Sequence, residues 1–356
     1  MIELQARVQG CLFGGAVGDA LGAPVEFLSL LEIRRQFGHD GIRDYVPAYG
    51  RCGAITDDTQ MTLFTAEGLM RAWVRMQLRG ICNTKGVMHH AYLRWLLTQN
   101  EKPRKFGLEI GTDGWLFGLQ PLHNRRAPGT TCLAALRTAE GFGSPDVARN
   151  NSKGCGGVMR VAPVGLFASA FGTDDFVFDL ASDAAALTHG HPSGFLSAGY
   201  LAVTVAALLR GDTPAAALDA AEVQLRRHDG YQEVANAVTQ ARALAERGRP
   251  EPEKLETLGG GWVAEEALAV AICCMLTASN FADGITLAAN HSGDSDSTAA
   301  IAGNLLGAQF GEAAIPRRWL AELELQDEIC QLADDLTAIV TGTIDAESAW
   351  DRYPGW

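Results

Sequence analysis

Apolar residues recur at helical spacing along most of the chain, and stretches that alternate in the manner of β-strands are few. The helical pattern is clearest in segments 59–78, 193–211, 213–230, 231–248 and 315–342. We expect one helix in each of the first four segments and one or two closing helices in the last. The pattern therefore predicts an all-α protein of about a dozen helices.

Residues that favour caps and turns indicate where these helices begin and end. Ser193 is the predicted N-cap of a helix that ends at Gly211. Thr213 as N-cap predicts the start of the next helix, which we expect to end at Gly230. The most polar stretch, 247–262, predicts a surface loop that could divide two domains. Acidic motifs lie on both sides of this loop, so we predict a single domain, residues 1–356, closed around a shared site.

Small residues four positions apart mark two helical segments. They are Gly10, Gly14, Gly18 and Gly22 in the first segment, and Ala299, Gly303, Gly307 and Gly311 in the second. Residues at this spacing share one face of a helix, and each glycine costs about 1 kcal/mol relative to alanine. Close approach of another helix is the natural compensation. We therefore predict two central helices that pack tightly through these faces.

The composition restricts the classes of partner. A formal net charge of −13 argues against nucleic acid and against an anionic membrane, because both require a basic surface. The eight cysteines are scattered, which suits a reducing compartment, and they form no zinc-binding pattern. The N-terminus lacks the apolar core of a signal peptide, and the apolar run 267–278 is shorter than the ~20 residues of a bilayer span. We expect a soluble, cytoplasmic protein.

Two acidic motifs, TDDT and DSDST, lie far apart in the chain. Asp294 and Asp296 cannot share a helix face, because residues two apart point in nearly opposite directions. They suit a turn that leads into a helix, and Asp57 and Asp58 repeat the arrangement. The backbone N–H groups at a helix start keep carboxylates ionised, and a crowded set of ionised carboxylates requires a cation. Such hard oxygen donors suit Mg²⁺, Mn²⁺ or Ca²⁺.

Each motif also has a simpler interpretation. TDDT is typical of an ordinary N-cap, and Asp296, Ser297 or Thr298 could cap the helix that follows DSDST. A calcium loop would require a glycine and a glutamate at set spacings, which DSDST lacks. The DxDxT pattern of haloacid-dehalogenase-like phosphatases would require a buried apolar strand before it, and AANHSG is not one. We therefore reject the phosphatase interpretation.

Two further segments could contact a ligand. The loop SKGCGG could cradle phosphate oxygens with its backbone N–H groups, although such loops are equally typical of simple turns. His189 and His191 flank Gly190 before a predicted helix start. A histidine pair of this kind more often caps or packs than binds a ligand.

Five segments, taken in order over about residues 8 to 311, resemble the ADP-ribosylglycohydrolase family: GCLFGGAVGDALGAPVEF, TDDTQMTL, NSKGCGGVMRVAPVGL, LTHGHPSG and HSGDSDSTAAIAGNLLGA. The resemblance implies an all-α fold, a compact orthogonal helical bundle. It also implies two divalent cations, Mg²⁺ or Mn²⁺, in a cleft. The acids would then lie at the start of a buried helix because they hold these cations.

The resemblance also implies roles for individual residues. The implied metal ligands are Thr56, Asp57, Asp58, Asp294, Asp296 and Ser297. Glu26 falls on the family's mobile glutamate, and we favour Asp58 and Glu26 over Asp296 as the carboxylates that move a proton. The implied contacts to ADP-ribose are Ser152, Lys153, Gly154, Cys155 and Gly156 at the diphosphate and His189 near the reacting end.

The implied activity is hydrolysis of the bond between ADP-ribose and a protein side chain, with arginine favoured. Water held by the cations would attack the ribose carbon through an oxocarbenium-like state. Another linkage, such as serine, would keep this mechanism and change the specificity. A different class of function is an antidote that binds and blocks an ADP-ribosyltransferase toxin, with or without hydrolysis.

Overall fold

The computed structural model of the chain describes residues 2–105, 107, 109–143 and 147–355. These residues form seventeen α-helices and no β-sheet, which confirms the predicted all-α class. The α-helices are α1 Leu4–Gly22, α2 Leu30–Phe37, α3 Asp57–Arg79, α4 Thr84–Thr98, α5 Thr130–Arg137, α6 Ala162–Ala168, α7 Asp174–Ala186, α8 Pro192–Arg210, α9 Pro214–Leu225, α10 Gln232–Ala245, α11 Pro252–Leu255, α12 Ala264–Thr277, α13 Phe281–Ala289, α14 Ser295–Phe310, α15 Arg317–Glu322, α16 Gln326–Val340 and α17 Ala346–Ala349. The estimate of a dozen was low because it missed short helices such as α11 and α17. Short 3₁₀ turns cover Leu116–Gly118, Gln120–His123, Cys155–Gly157, Glu256–Leu258 and Glu312–Ala314.

Several predicted helix ends are confirmed and two are wrong. α8 stops before Gly211, which adopts the left-handed conformation at φ 91°, and Thr213 caps α9. However, α9 ends at Leu225 rather than Gly230, because the polar residues that follow Leu225 offer no apolar group to the core. The N-cap of α8 is His191, whose ring nitrogen accepts the Ser193 N–H at 3.1 Å. Ser193 itself therefore lies inside the helix.

The polar stretch 247–262 contains more regular secondary structure than the predicted surface loop. It contains α11 and the 3₁₀ turn Glu256–Leu258, and Leu255 and Leu258 are buried. These two leucines anchor the segment to the core. The one-domain organisation of residues 1–356 stays a prediction.

The tight packing predicted for the two glycine-rich helices is confirmed. α1 and α14 run antiparallel and make the most extensive helix–helix contact of the described chain. A Cβ atom added to Gly14 would lie 2.2 Å from the Gly303 carbonyl oxygen, and one added to Gly303 would lie 2.0 Å from that of Gly14. At the end of α1, a Cβ on Gly22 would lie 2.3 Å from the Ser295 oxygen. The last turn of α1 therefore lies against the first turn of α14.

One helix in the described part of the chain, α8, is long and apolar enough to cross a bilayer by length and composition. Its most apolar window is 89% buried inside the protein. Burial of this extent is typical of a core helix, so the composition of α8 is explained by the neighbours that it packs against.

Gly303→Ala should lower the free energy of unfolding by about 1–3 kcal/mol, because the new methyl group overlaps the backbone of α1. The loss should appear even though alanine gains about 1 kcal/mol in helix propensity. Gly118→Ala is the control, because no atom of the described residues lies within 4 Å of a Cβ built there. Chemical denaturation of both variants checks the prediction. Equal stabilities would show that the helices do not need glycine at this contact.

Candidate active site

A cleft of about 440 Å³ opens where the N-termini of α3 and α14 meet. Its lining residues are Glu26, Phe27, Asp57, Asp58, 127–132, 154–156, Met159, His189, Trp262, Asp294, Asp296 and Ser297. This set contains five carboxylates and no lysine or arginine. The cleft therefore concentrates acidic side chains with no lysine or arginine among its lining residues.

Three of these carboxylates form a tight set. Oxygens of Glu26, Asp294 and Asp296 all lie within 4.8 Å of one another, close enough to ligate one metal ion. Asp57 and Asp58 line the same cleft but do not belong to this set. The structure thus brings together two acidic motifs more than two hundred residues apart, and it adds Glu26 to them.

Asp294 occupies the N-cap position of α14, and its side chain makes no capping hydrogen bond. The predicted caps Asp296, Ser297 and Thr298 are therefore wrong, because all three lie inside the helix. Asp294 instead turns to the cleft, where its Oδ2 lies 2.8 Å from the Cys155 Sγ. Burial and the charges of the neighbouring acids raise the pKa of this thiol well above its usual range, so the thiol is protonated and donates.

Ser297 and Thr298 differ in what they contact. Ser297 lines the cleft, with its Oγ 3.6 Å from the Cys155 Sγ. The Thr298 hydroxyl lies 2.8 Å from the His291 Nε2 and points into the protein. Of the two neighbouring hydroxyls, only Ser297 is therefore available to a ligand in the cleft.

Asp19, which sequence reasoning did not assign to the site, holds the start of α3 in place. Its carboxylate accepts the Thr56 N–H at 2.9 Å, the Thr56 hydroxyl at 2.8 Å and the Thr59 N–H at 3.1 Å. Thr59 also donates its hydroxyl to Asp19. Burial raises the pKa of Asp19 to about 6, and these hydrogen bonds limit the rise. The available signal was a single acid within a run of glycines and small apolar residues.

Thr56, a predicted metal ligand, is the N-cap of α3 and accepts the Asp58 N–H at 3.3 Å. Its hydroxyl donates to Asp19 behind the cleft, and Thr56 is absent from the residues that line the cleft. The structure therefore places Thr56 beside the site, one step behind the carboxylates.

The carboxylates of the cleft are crowded and poorly compensated. Burial, followed by the charges of Asp294, Asp57 and Asp19, raises the pKa of Glu26 to about 8. Burial also raises the pKa of Asp57 to about 8 and the pKa values of Asp58 and Asp296 well above the usual range. Glu26 Oε2 and Asp58 Oδ1 are buried and have no hydrogen-bond partner among the described residues. Orphaned hard oxygens of this kind fit a divalent cation.

The predicted diphosphate loop is only partly in the cleft. Gly154, Cys155 and Gly156 line it. Ser152 instead bonds to the Thr131 hydroxyl at 2.9 Å, and the Lys153 Nζ pairs with Glu233 and Glu265. The lysine charge therefore faces away from the cleft. Two N–H groups of the loop already have acceptors, since Gly154 donates to the Ser152 Oγ and Cys155 to the Trp262 backbone oxygen, each at 3.3 Å.

His189 lines the cleft and His191 caps α8, so the two histidines have different roles. Burial and the nearby Arg160 lower the pKa of His189 to about 3. The imidazole is therefore neutral near pH 7.

Comparisons with known proteins agree over nearly the whole chain. The family model described as ADP-ribosylglycohydrolase matches residues 1–345. The chain is 26% identical to the ADP-ribosylarginine hydrolase Tri1 of Serratia proteamaculans, over 93% of this chain and 78% of the relative. It is 27% identical to the ADP-ribosyl-[dinitrogen reductase] glycohydrolase of Rhodospirillum rubrum, over 94% and 96% of the two chains. A solved structure titled "ADP-ribosylglycohydrolase-related protein complex" matches with a TM-score of 0.67 and 29% identity, over 96% and 100% of the two chains.

Without divalent cations, the protein should lose stability as the pH rises from about 5 to about 8. The folded pKa values of Glu26 and Asp57, about 8, exceed their ordinary values of 4.5 and 3.8. At a pH between the ordinary and the folded pKa values, the folded state keeps protons that the unfolded state has released. The stabilisation from these two groups is therefore complete below their ordinary pKa values and is lost as the pH rises toward about 8. Melting temperatures in a chelator across this range check the prediction.

Glu26→Gln is the control for that experiment, because it removes one of the titrating groups and keeps the side-chain shape. The variant should show a shallower decline, and added Mn²⁺ should flatten the decline of the original protein. A pH profile that neither change affects would contradict the origin assigned to it.

Proposed function

The chain belongs to the ADP-ribosylglycohydrolase family, whose members are glycohydrolases that remove ADP-ribose. On this premise we propose that the protein releases ADP-ribose from modified arginine side chains with the help of divalent cations. The observation that supports this proposal best is the cleft, which is lined by five carboxylates and, among the described residues, by no lysine or arginine. Two of the carboxylate oxygens are buried and find no hydrogen-bond partner in the described part of the chain.

The proposed ligands divide between the two helix starts. Glu26, Asp294 and Asp296 form the tight set at the start of α14, where the Ser297 hydroxyl adds a fourth oxygen. The second group, at the start of α3, consists of Asp57 and Asp58, with Thr56 behind them. Two groups suit two cations, Mg²⁺ or Mn²⁺. Divalent cations bound here would offset the repulsion among the carboxylates and lower the pKa of a bound water.

Glu26 and Asp58 are the proposed proton carriers. Each has a buried oxygen for which the described residues supply no hydrogen-bond partner, so each can accept a proton from water or donate one to the leaving group. Hydrolysis at a glycosidic carbon requires both an acid and a base, and two carboxyl groups are the usual way to supply them.

The mouth of the cleft carries two exposed aromatic rings. Phe27 and Trp262 are 70% and 46% exposed, and their rings stack with centroids 5.8 Å apart. Exposed aromatic faces are suited to stack on a nucleobase. The segment 154–156 and the neutral His189 line the same cleft and are the proposed contacts to the middle of ADP-ribose.

Arginine is favoured as the leaving group because its guanidinium is cationic and the carboxylates of the cleft attract it. The names of the Serratia and Rhodospirillum relatives point to ADP-ribosylarginine and to a modified protein, respectively. The proposed substrate is therefore an ADP-ribosylated protein. A serine-linked substrate would lack the cationic group and should react more slowly.

The purified protein should release ADP-ribose from an arginine-ADP-ribosylated protein when Mg²⁺ or Mn²⁺ is present, and chelator should abolish the release. Asp296→Asn should lower the rate at least about 100-fold, because it removes a charged ligand. Asp334→Asn on α16 is the control for loss of an acid outside the cleft. Unchanged release by the Asp296 variant would refute the proposed site. Faster release from a serine linkage would refute the arginine specificity alone.

Trp262→Ala should weaken ADP-ribose binding about 5- to 100-fold, the range expected from loss of one stacked base. The effect should appear in KM more than in kcat, because in the proposed binding mode the ring contacts the nucleobase and not the bond that breaks. Trp262→Phe keeps an aromatic face and should retain most of the affinity. Calorimetric titration with ADP-ribose checks both variants, and equal affinities for alanine and phenylalanine would exclude stacking.

A further inference from the structure

A buried arginine lies directly behind the wall of the cleft. Arg160 is fully buried, and no acidic partner is found for it among the described residues. One of its nitrogens donates to the Thr188 hydroxyl at 2.7 Å and to the Ala184 oxygen at 3.1 Å, and the guanidinium lies over the Tyr92 ring. An unpaired charge is costly to bury, so its hydrogen-bond partners must carry much of the compensation.

The donor and the acceptor in the hydrogen bond between Thr188 and His189 can be assigned. A guanidinium can only donate, so the Thr188 oxygen accepts from Arg160 and has one proton of its own to give. Among the described residues, two strong acceptors are within reach, the His189 Nδ1 at 2.8 Å and the Ala185 oxygen at 3.3 Å. The nearby Cys132 sulfur is only a weak acceptor. The Ala185 oxygen already accepts the N–H groups of Thr188 and His189 at 3.0 Å each. The Thr188 proton therefore goes to the imidazole.

We infer that Arg160 and Thr188 are positioning residues that hold His189 as the tautomer with its proton on Nε2, so that the imidazole donates into the cleft. Because the ring is neutral and Nδ1 accepts, the single ring proton must be on Nε2. This nitrogen is on the side of the ring next to the cleft-lining Gly154 and Gly156. The inference rests on the proposed function for its ligand, which is an oxygen of ADP-ribose.

The charge of Arg160 favours the same tautomer, because a cation on the Thr188 side of the ring stabilises the lone pair of Nδ1. A neutral donor can contact an oxygen of the ligand without pairing with the carboxylates, which a lysine or arginine in this place would do.

The tautomer can be measured without substrate, by NMR correlation of ring nitrogens and carbon-bound protons in protein labelled at histidine. His189 should have its proton on Nε2, and Thr188→Val should shift the ring toward the other tautomer. Thr188→Ser keeps the hydroxyl and should restore the first tautomer. Thr204→Val is the matched control, because it removes a buried hydroxyl whose one hydrogen bond among the described residues is to the Tyr200 backbone oxygen.

Thr188→Val should also weaken ADP-ribose binding about three- to tenfold, the loss expected for one hydrogen bond. The same substitution should have little effect in a His189→Ala background. An equal loss in both backgrounds would show a merely structural role, and a His189 proton on Nδ1 in the original protein would overturn the inference outright. If ADP-ribose does not bind at all, the proposed function fails, and the NMR result still decides the tautomer.

Discussion

The close contact between the backbones of α1 and α14 is the constraint on which the candidate site depends. Their antiparallel pairing sets the last turn of α1 against the first turn of α14. Glu26 follows four residues after α1 ends, and Asp294 and Asp296 stand at the start of α14. The tight set of three carboxylates is thus a consequence of how these two helices meet. Larger side chains at the contact would separate the helices and disperse the set.

α1 also holds the start of α3, which contributes the other two carboxylates of the site. Asp19 lies on α1 one residue after Gly18, and its carboxylate accepts two backbone N–H groups and two hydroxyls at the start of α3. Asp19 accepts the free N–H groups at the start of α3 in the way that an N-cap side chain does, although it belongs to another helix. Asp57 and Asp58 are therefore positioned by the same element that positions Glu26. One glycine-rich helix organises the acids of both motifs.

Sequence reasoning predicted those features that repeat along the chain or combine in an ordered set of motifs. The glycine faces, most of α3 and α8, and five acids that prove to share a cleft could be predicted in this way. Sequence reasoning could not predict the direction in which an individual side chain points. Lys153 looks like a phosphate ligand in the sequence, but Glu233 and Glu265 hold it outside the cleft. Asp19 was missed for the converse reason, because its partners are distant in sequence and its own neighbours are small and apolar.

Two arginines next to cleft-lining residues in sequence do not line the cleft themselves. Arg126 and Arg160 each precede or follow a cleft-lining residue directly, yet Arg126 pairs with Glu324 and Arg160 bonds to Thr188. A basic side chain inside the cleft would pair with the carboxylates and compete with a cation for them. Keeping these charges behind the wall leaves the carboxylates available. Polar contacts to a ligand can then come from uncharged groups that line the cleft, such as the hydroxyl of Ser297 and the imidazole of His189.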